Sequence, residues 1–230
     1  MFITADVRPV RRTFNLICAL LIFFATSQAA LADPLAIWNF NDSDLNVDHG
    51  NGTLTTNLNA VNILFAAGTT NNARLGDPAG QALSLQGGTS NANNGRNITF
   101  NVSTVGFSNI AVSFATQGTS TGFNSNQFQY SLDGVNFVDF GPPYVPATAF
   151  GTVPLVFTLT SIVGLENNPN AAFRIVFNGA SSATGTNRLD NIVVEGTGLA
   201  TTIPEPASAL LLLSGLGGFY KLRRRKKAMQ

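Results

Sequence analysis

Ile98-Thr99-Phe100-Asn101-Val102 is the stretch that decides the fold. Its apolar residues take alternate positions, with Thr and Asn between them. Side chains that point to opposite faces in turn bury one face and wet the other, which marks a half-buried β-strand. The same period returns at Ile110, Val112 and Phe114, at Leu155, Phe157 and Leu159, and at Phe173, Ile175 and Phe177. β-Branched and aromatic residues fill these positions, as strand packing favours. Further strands are expected over 35–40, 60–65, 82–85, 127–132, 135–140 and 189–195. Asp133-Gly134 falls between two of them and predicts a two-residue hairpin turn. Gly50-Asn51-Gly52 and the Gly/Asn-rich stretches 87–95 and 118–126 read as loops. No sustained helical period occurs between the two ends. About ten short strands in one domain predict an all-β fold, an antiparallel, jelly-roll-like β-sandwich.

Both ends break this pattern. Residues 1–32 read as a signal peptide: Arg8, Arg11 and Arg12, an apolar run, then Ala30-Leu31-Ala32 as the signal-peptidase site before Asp33. Cys18, the sole cysteine, lies inside this segment, so its removal leaves no disulfide and no thiol chemistry. At the other end Pro204-Glu205-Pro206 leads into an apolar run over 207–220. Lys221, Arg223, Arg224, Arg225, Lys226 and Lys227 close the chain as a stop-transfer cluster that stays on the cytoplasmic side. A single transmembrane helix is expected over about 207–222. Its apolar run, as helix, spans about 21 Å against a hydrocarbon core of about 30 Å, which is short for a permanent anchor.

This three-part tail closely resembles the PEP-CTERM sorting signal of Gram-negative, exopolysaccharide-producing bacteria. The resemblance implies a membrane-anchored precursor cut in or near Pro204-Glu205-Pro206 by an exosortase, with the mature form at the cell surface or in the extracellular matrix. Residues 33–200, between signal peptide and tail (201–230), are similar to the β-sandwich ectodomains of that group. The similarity rests on Ala36-Ile37-Trp38-Asn39-Phe40-Asn41-Asp42, Gln129-Tyr130-Ser131-Leu132-Asp133-Gly134, the stretch 173–179, and Arg188-Leu189-Asp190-Asn191-Ile192. Those ectodomains in turn resemble carbohydrate-binding jelly rolls. The implied role is structural or adhesive, within the exopolysaccharide of a biofilm. A calcium-supported carbohydrate-binding module is the alternative, and a secreted glycoside-active enzyme the weaker one.

Charge narrows the partners. Between Asp33 and Ile203 stand four arginines and no lysine, against eight aspartates and two glutamates, a formal charge of about −6. Such a surface suits neither phosphate nor nucleic acid. Its Asn, Thr, Ser and Gly suit hydrogen bonding outside the cell, with extracellular polysaccharide as the candidate ligand.

Candidate site residues are few. Asp42, Asp44, Asn46 and Asp48 alternate in a loop that could supply oxygen ligands to Ca²⁺, but Val47 and Thr53 stand where an EF-hand loop needs Gly and Glu, so a solvated acidic turn is the favoured reading. Asp190 shares parity with Ile192 and Val194 and, if inward, needs a partner. The options are Arg174, Arg188, or a calcium ion held with oxygens near Asn41 and Asp42; a strand that starts after Asp190 is another. By the resemblance, Asp42 and Asp190 are the calcium candidates. Tyr144, after Pro142-Pro143, is the expected exposed platform for a sugar ring, whereas Trp38 is expected in the core. His49 is the only histidine, and no nucleophile–base set or phosphate loop accompanies it, so no catalytic residues and no enzyme are expected.

Overall fold

The computed structural model describes residues 32–199. Twelve strands follow in chain order: β1 (Ala32–Trp38), β2 (His49–Gly50), β3 (Thr53–Thr56), β4 (Ile63–Ala67), β5 (Gln81–Gln86), β6 (Asn97–Asn101), β7 (Phe107–Gly118), β8 (Gln127–Ser131), β9 (Phe137–Asp139), β10 (Leu155–Thr158), β11 (Ala172–Val176) and β12 (Thr186–Gly198). The first sheet runs β10-β7-β12-β1-β2, with β5 also on β12 and β4 on β5; the second runs β3-β6-β11-β8-β9. Every pairing is antiparallel. The all-β sandwich read from alternation is what the chain forms. Among the described residues no helix is long and apolar enough to cross a membrane. The expected sorting tail and all but the last residue of the expected signal peptide lie outside the described residues.

The alternating apolar residues meet between the sheets. Ile98, Phe100, Phe128, Phe173 and Ile175 come from the second sheet, and Trp38, Leu83, Val112, Phe114 and Phe157 from the first; all are buried. Phe128 stacks on Phe157 with centroids 3.9 Å apart, and Trp38 meets Phe100 edge-on at 5.2 Å. Cross-sheet aromatic pairs of this kind each add about 0.5–1.5 kcal/mol beyond their buried area. Trp38 is thus core, as expected.

Three local departures matter. The Asp133-Gly134 turn is not a two-residue hairpin, because β8 ends at Ser131 and β9 begins at Phe137. The Asp133 carboxylate accepts the backbone N–H groups of Val135 (2.9 Å) and Asn136 (2.7 Å) and the Ser131 hydroxyl (2.9 Å), closing a wider loop around itself. Residues 60–62 form a 3₁₀ turn, so β4 begins only at Ile63. In β12 a bulge between Asp190 and Val193, with Asn191 at φ +49°, inserts one residue against β7. It shifts the phase: Leu189, Ile192 and Val194 enter the core, while Asp190 pairs with Ala115 on the outward face. The shared parity of Asp190 with Ile192 and Val194 is therefore broken by backbone geometry.

Candidate functional site

On the second sheet the polar half of the alternation makes an open outer face. Register places Thr55, Thr99, Arg174, Gln129 and Asp139 side by side across β3, β6, β11, β8 and β9. The adjoining row is Thr53, Asn101, Ala172, Ser131 and Phe137. Their sequence neighbours Leu54, Phe100 and Phe173 turn inward to the core. A period-two sequence with amide and hydroxyl residues at every second place thus produces one dry and one hydrogen-bonding face.

The loop over residues 132–136 folds back over this face. Gly134 adopts φ +75°, and a side chain there would lie against Asn101 Oδ1 and the Asn170 carbonyl. It divides a groove into two connected depressions that share Asn101 and Gly134. One, about 500 Å³, is lined by Asn51, Thr53, Ser103, Asp133 and Asn170 among others. The second, about 330 Å³, is lined by Thr55, Thr56, Asn57, Asn97, Thr99 and Arg174. Five residues of β6 at strand rise make the floor roughly 14 Å long, enough for a short oligosaccharide. Local hydrogen bonds order its lining: the Asn97 N–H donates to Asn57 Oδ1 at 2.7 Å, and Asn101 Nδ2 to Thr53 Oγ1 at 3.3 Å.

Arg174 forms one wall. Its guanidinium carbon sits 3.4 Å from the Phe137 ring centroid, a cation–π contact, and its Nε–H donates to Thr99 Oγ1 at 3.0 Å. Partial burial draws its pKa below the ordinary arginine value. Among the described residues no carboxylate lies within ion-pair distance of it; the close basic–acidic contacts there are Arg74 with Glu195 and His49 with Asp77. Asp139, in the same row, instead accepts Gln129 Nε2 at 2.8 Å. Four hydrogen bonds from its own loop hold Asp133 as a carboxylate, well below the usual range.

The residues picked from sequence lie elsewhere. Tyr144 is half-buried rather than exposed as expected: its ring tilts against Phe114 (6.0 Å) and Phe157 (6.2 Å), and its hydroxyl is buried. The cause is a backbone bridge to Asn126, which draws the segment onto the core and leaves the ring half-buried; burial raises the phenol pKa. Asp42 is exposed, while Asp44 accepts Asn46 N–H at 2.7 Å and Asp48 accepts Asn39 N–H at 2.6 Å. Asp48 is raised, by burial first and then by nearby Asp42 and Asp44. Ala32 opens β1, exposed and paired with Thr197.

Asp190 lies where the neighbour of β12 changes from β5 to β1, beneath the loop over residues 68–80. Neither Arg174 nor Arg188 pairs with it; Arg188 Nη1 donates instead to the Ala67 carbonyl at 3.2 Å. Its oxygens accept the N–H groups of Thr69 (2.7 Å) and Asn191 (2.8 Å). Burial outweighs these bonds and pushes the carboxyl up to about 7. Asn191 Nδ2 donates to the carbonyls of Thr69 (2.7 Å) and Asn71 (2.9 Å), and Asn72 Nδ2 to the Asn191 carbonyl (2.7 Å), pinning the loop to the sheet. Asn41, rather than Asp42, reaches this seam, accepting Gln81 N–H at 2.9 Å. Gly68 and Gly80, joined by a backbone bond of 3.0 Å, lack side chains where Asp190 Oδ2 and Asn41 Oδ1 sit. The donor set is oxygen-only with one carboxylate, which suits Ca²⁺ in kind. No group of three His, Cys, Asp or Glu that could hold a metal occurs among the described residues.

Sequence reading missed the groove residues Asn97, Thr99, Asn101 and Arg174. Their signal was present: the outward positions of β3, β6 and β8 carry hydroxyl and amide side chains rather than mixed charges. What gathers them is pairing between strands far apart in the chain, along with a loop that folds over them.

The fold and groove together define a class: an antiparallel β-sandwich with one sheet face open and hydrogen-bonding. No protein-family model and no curated protein matches the chain. Among solved structures it is similar to a xylan-binding CBM22-1 domain of Xyn10C from Paenibacillus barcinonensis (11% identity, TM-score 0.45, 75% of this chain and 100% of that one). It is also similar to TmCBM61 in complex with β-1,4-galactotriose (10% identity, TM-score 0.41, 68% and 92%). A third is the K2 cleaved adhesin domain of Lys-gingipain (12% identity, TM-score 0.41, 69% and 97%). These are distant likenesses, and the functional reading stands on the groove itself.

Proposed function

We propose that residues 33–200 form a non-catalytic glycan-binding module, carried to the cell surface or extracellular matrix by the terminal segments. The groove on the second sheet carries this reading. It offers amide and hydroxyl groups at close spacing along roughly 14 Å, the donors and acceptors that sugar hydroxyls need. The groove is open rather than pocket-like, which suits a chain ligand. Binding there would give the protein its adhesive or structural role in exopolysaccharide, and exosortase processing near Pro204-Glu205-Pro206 would release it from its membrane anchor. Calcium, in this reading, would be held by Asp190 and Asn41 at the seam and would supply the countercharge that Asp190 lacks, bracing the loop over 68–80 remote from the sugar.

The test is retention of the full chain, in mild detergent, on matrix polysaccharide from the producing cells. The proposal expects retention by the wild type and loss in an Asn97→Ala/Asn101→Ala double variant of unchanged melting temperature. Equal retention of both proteins, or of neither, would overturn it.

A further inference from the structure

The groove is electrostatically lopsided. Its larger depression is bordered by Asp133, whereas no carboxylate lines the smaller one, and Arg174 forms part of its wall. Among the described residues Arg174 is the one charged residue that lines it, and Arg96 donates from Nη1 to the carbonyl of the lining residue Asn57 at 3.0 Å. The carboxylates on this face accept hydrogen bonds from other groups: Asp139 from Gln129, and Asp133 from its own loop.

The Arg174 side chain is held for use rather than used. Its Nε is occupied by Thr99 and its plane rests on Phe137. Among the described residues its two Nη groups donate to nothing. Room for the Phe137 ring comes from Ala172 and Ser131, small residues in its own row that are buried despite their outward parity. A guanidinium with the entropy of its long stem already removed and its fork free is a preorganised receptor for a planar anion.

We infer that the smaller depression is a subsite for a sugar carboxylate, so that the ligand is an acidic, uronate-bearing polysaccharide. The inference rests on the glycan-binding reading above and deepens it. The carboxylate meets the Nη fork of Arg174, and the neighbouring sugar lies across Gly134 toward the amide-rich depression. The domain's net negative charge makes this selective. General attraction of an acidic polymer is lacking, so binding depends on the one local fork rather than on overall field.

The experiment compares polygalacturonate with its carboxyl-reduced, neutral counterpart, by affinity electrophoresis of the full chain in detergent. The wild type should prefer the acidic polymer by about tenfold or more, the scale set by hydrogen bonds to a charged group. Arg174→Gln should lose that preference while keeping residual affinity for the neutral polymer, and Arg174→Lys should fall between them. Thermal melting of each variant verifies folding, and the wild-type comparison needs no variant at all. Equal wild-type binding of the two polymers would overturn the acidic subsite and leave the glycan groove standing. An acidic preference undiminished in Arg174→Gln would overturn the assignment to Arg174. Binding of neither polymer, with matrix polysaccharide still retained, would also overturn the uronate subsite; failure of retention on matrix polysaccharide would remove the groove reading beneath it.

Discussion

The two outer faces of the sandwich draw on the same residue types and use them in opposite ways. On the first sheet, Asp190, Asn191 and Ser113 are buried beneath the loop over 68–80, and their polar atoms bond to that loop, Asn72 of the loop reaching down to Ser113 and Asn191. On the second, Asn97, Asn101, Thr55 and Arg174 face an open groove. Amides that hold a loop down have spent their hydrogen bonds on the protein, whereas Asn97 and Asn101 each make one side-chain bond along the groove and keep the other end of the amide open. The first face therefore spends its polar groups on stability, and the second leaves polar groups open to solvent.

The largest expected effect attacks that division directly. Asp190→Ala strands the N–H groups of Thr69 and Asn191 beneath the loop and should cost about 3 kcal/mol in urea unfolding. Asn101→Ala on the open face should stay within about 0.5 kcal/mol. Similar costs for the two would show that both faces contribute alike to stability.

A second contrast uses glycine. Gly80 has φ +38°, and a Cβ there would run into Asn41 Oδ1, so Gly80→Ala should destabilise by about 2 kcal/mol. Gly95, at φ +80° with open space around it, should lose only about 1 kcal/mol on the same change. Melting temperatures of the two variants measure the difference, which is the part due to the seam's crowding.

The third effect follows pH. The Asp190 carboxyl keeps its proton up to about 7 when folded, against an ordinary 3.8 unfolded. Between these values the folded form binds more protons, so metal-free stability should decline as pH rises from about 4 to about 7 and then level off. Asp190→Asn should flatten that slope when melting is followed across pH in chelator. Added calcium that raises the wild-type melting temperature at pH 8, but not that of Asp190→Asn, would assign a cation to the seam. Groove variants should show neither behaviour.

The sandwich was legible because alternation is a local signal: Ile98, Phe100, Phe173 and Ile175 are core residues readable from their own neighbours. The seam was half legible. Asp190 stood out as a carboxylate in a strand, but its facing depends on a left-handed Asn191 that no side-chain pattern announces. Tyr144 misled because a proline-flanked tyrosine reads as exposed until its bridge to Asn126 is known. The groove was hidden for a different reason. Thr55, Asn97 and Arg174 become neighbours only through the order β3-β6-β11, and the shape above them comes from an Asp133-centred loop that sequence presents as a tighter turn.

In the proposed function, glycan binds on the open face of the second sheet. Amide hydrogen exchange of the full chain, with and without the matrix polysaccharide, tests it most directly. Added protection confined to Thr53–Thr56, to Asn97–Asn101 and to the loop around Gly134 is the predicted result. Protection centred on the loop over 68–80, or no change on either face in the presence of bound polysaccharide, would contradict it.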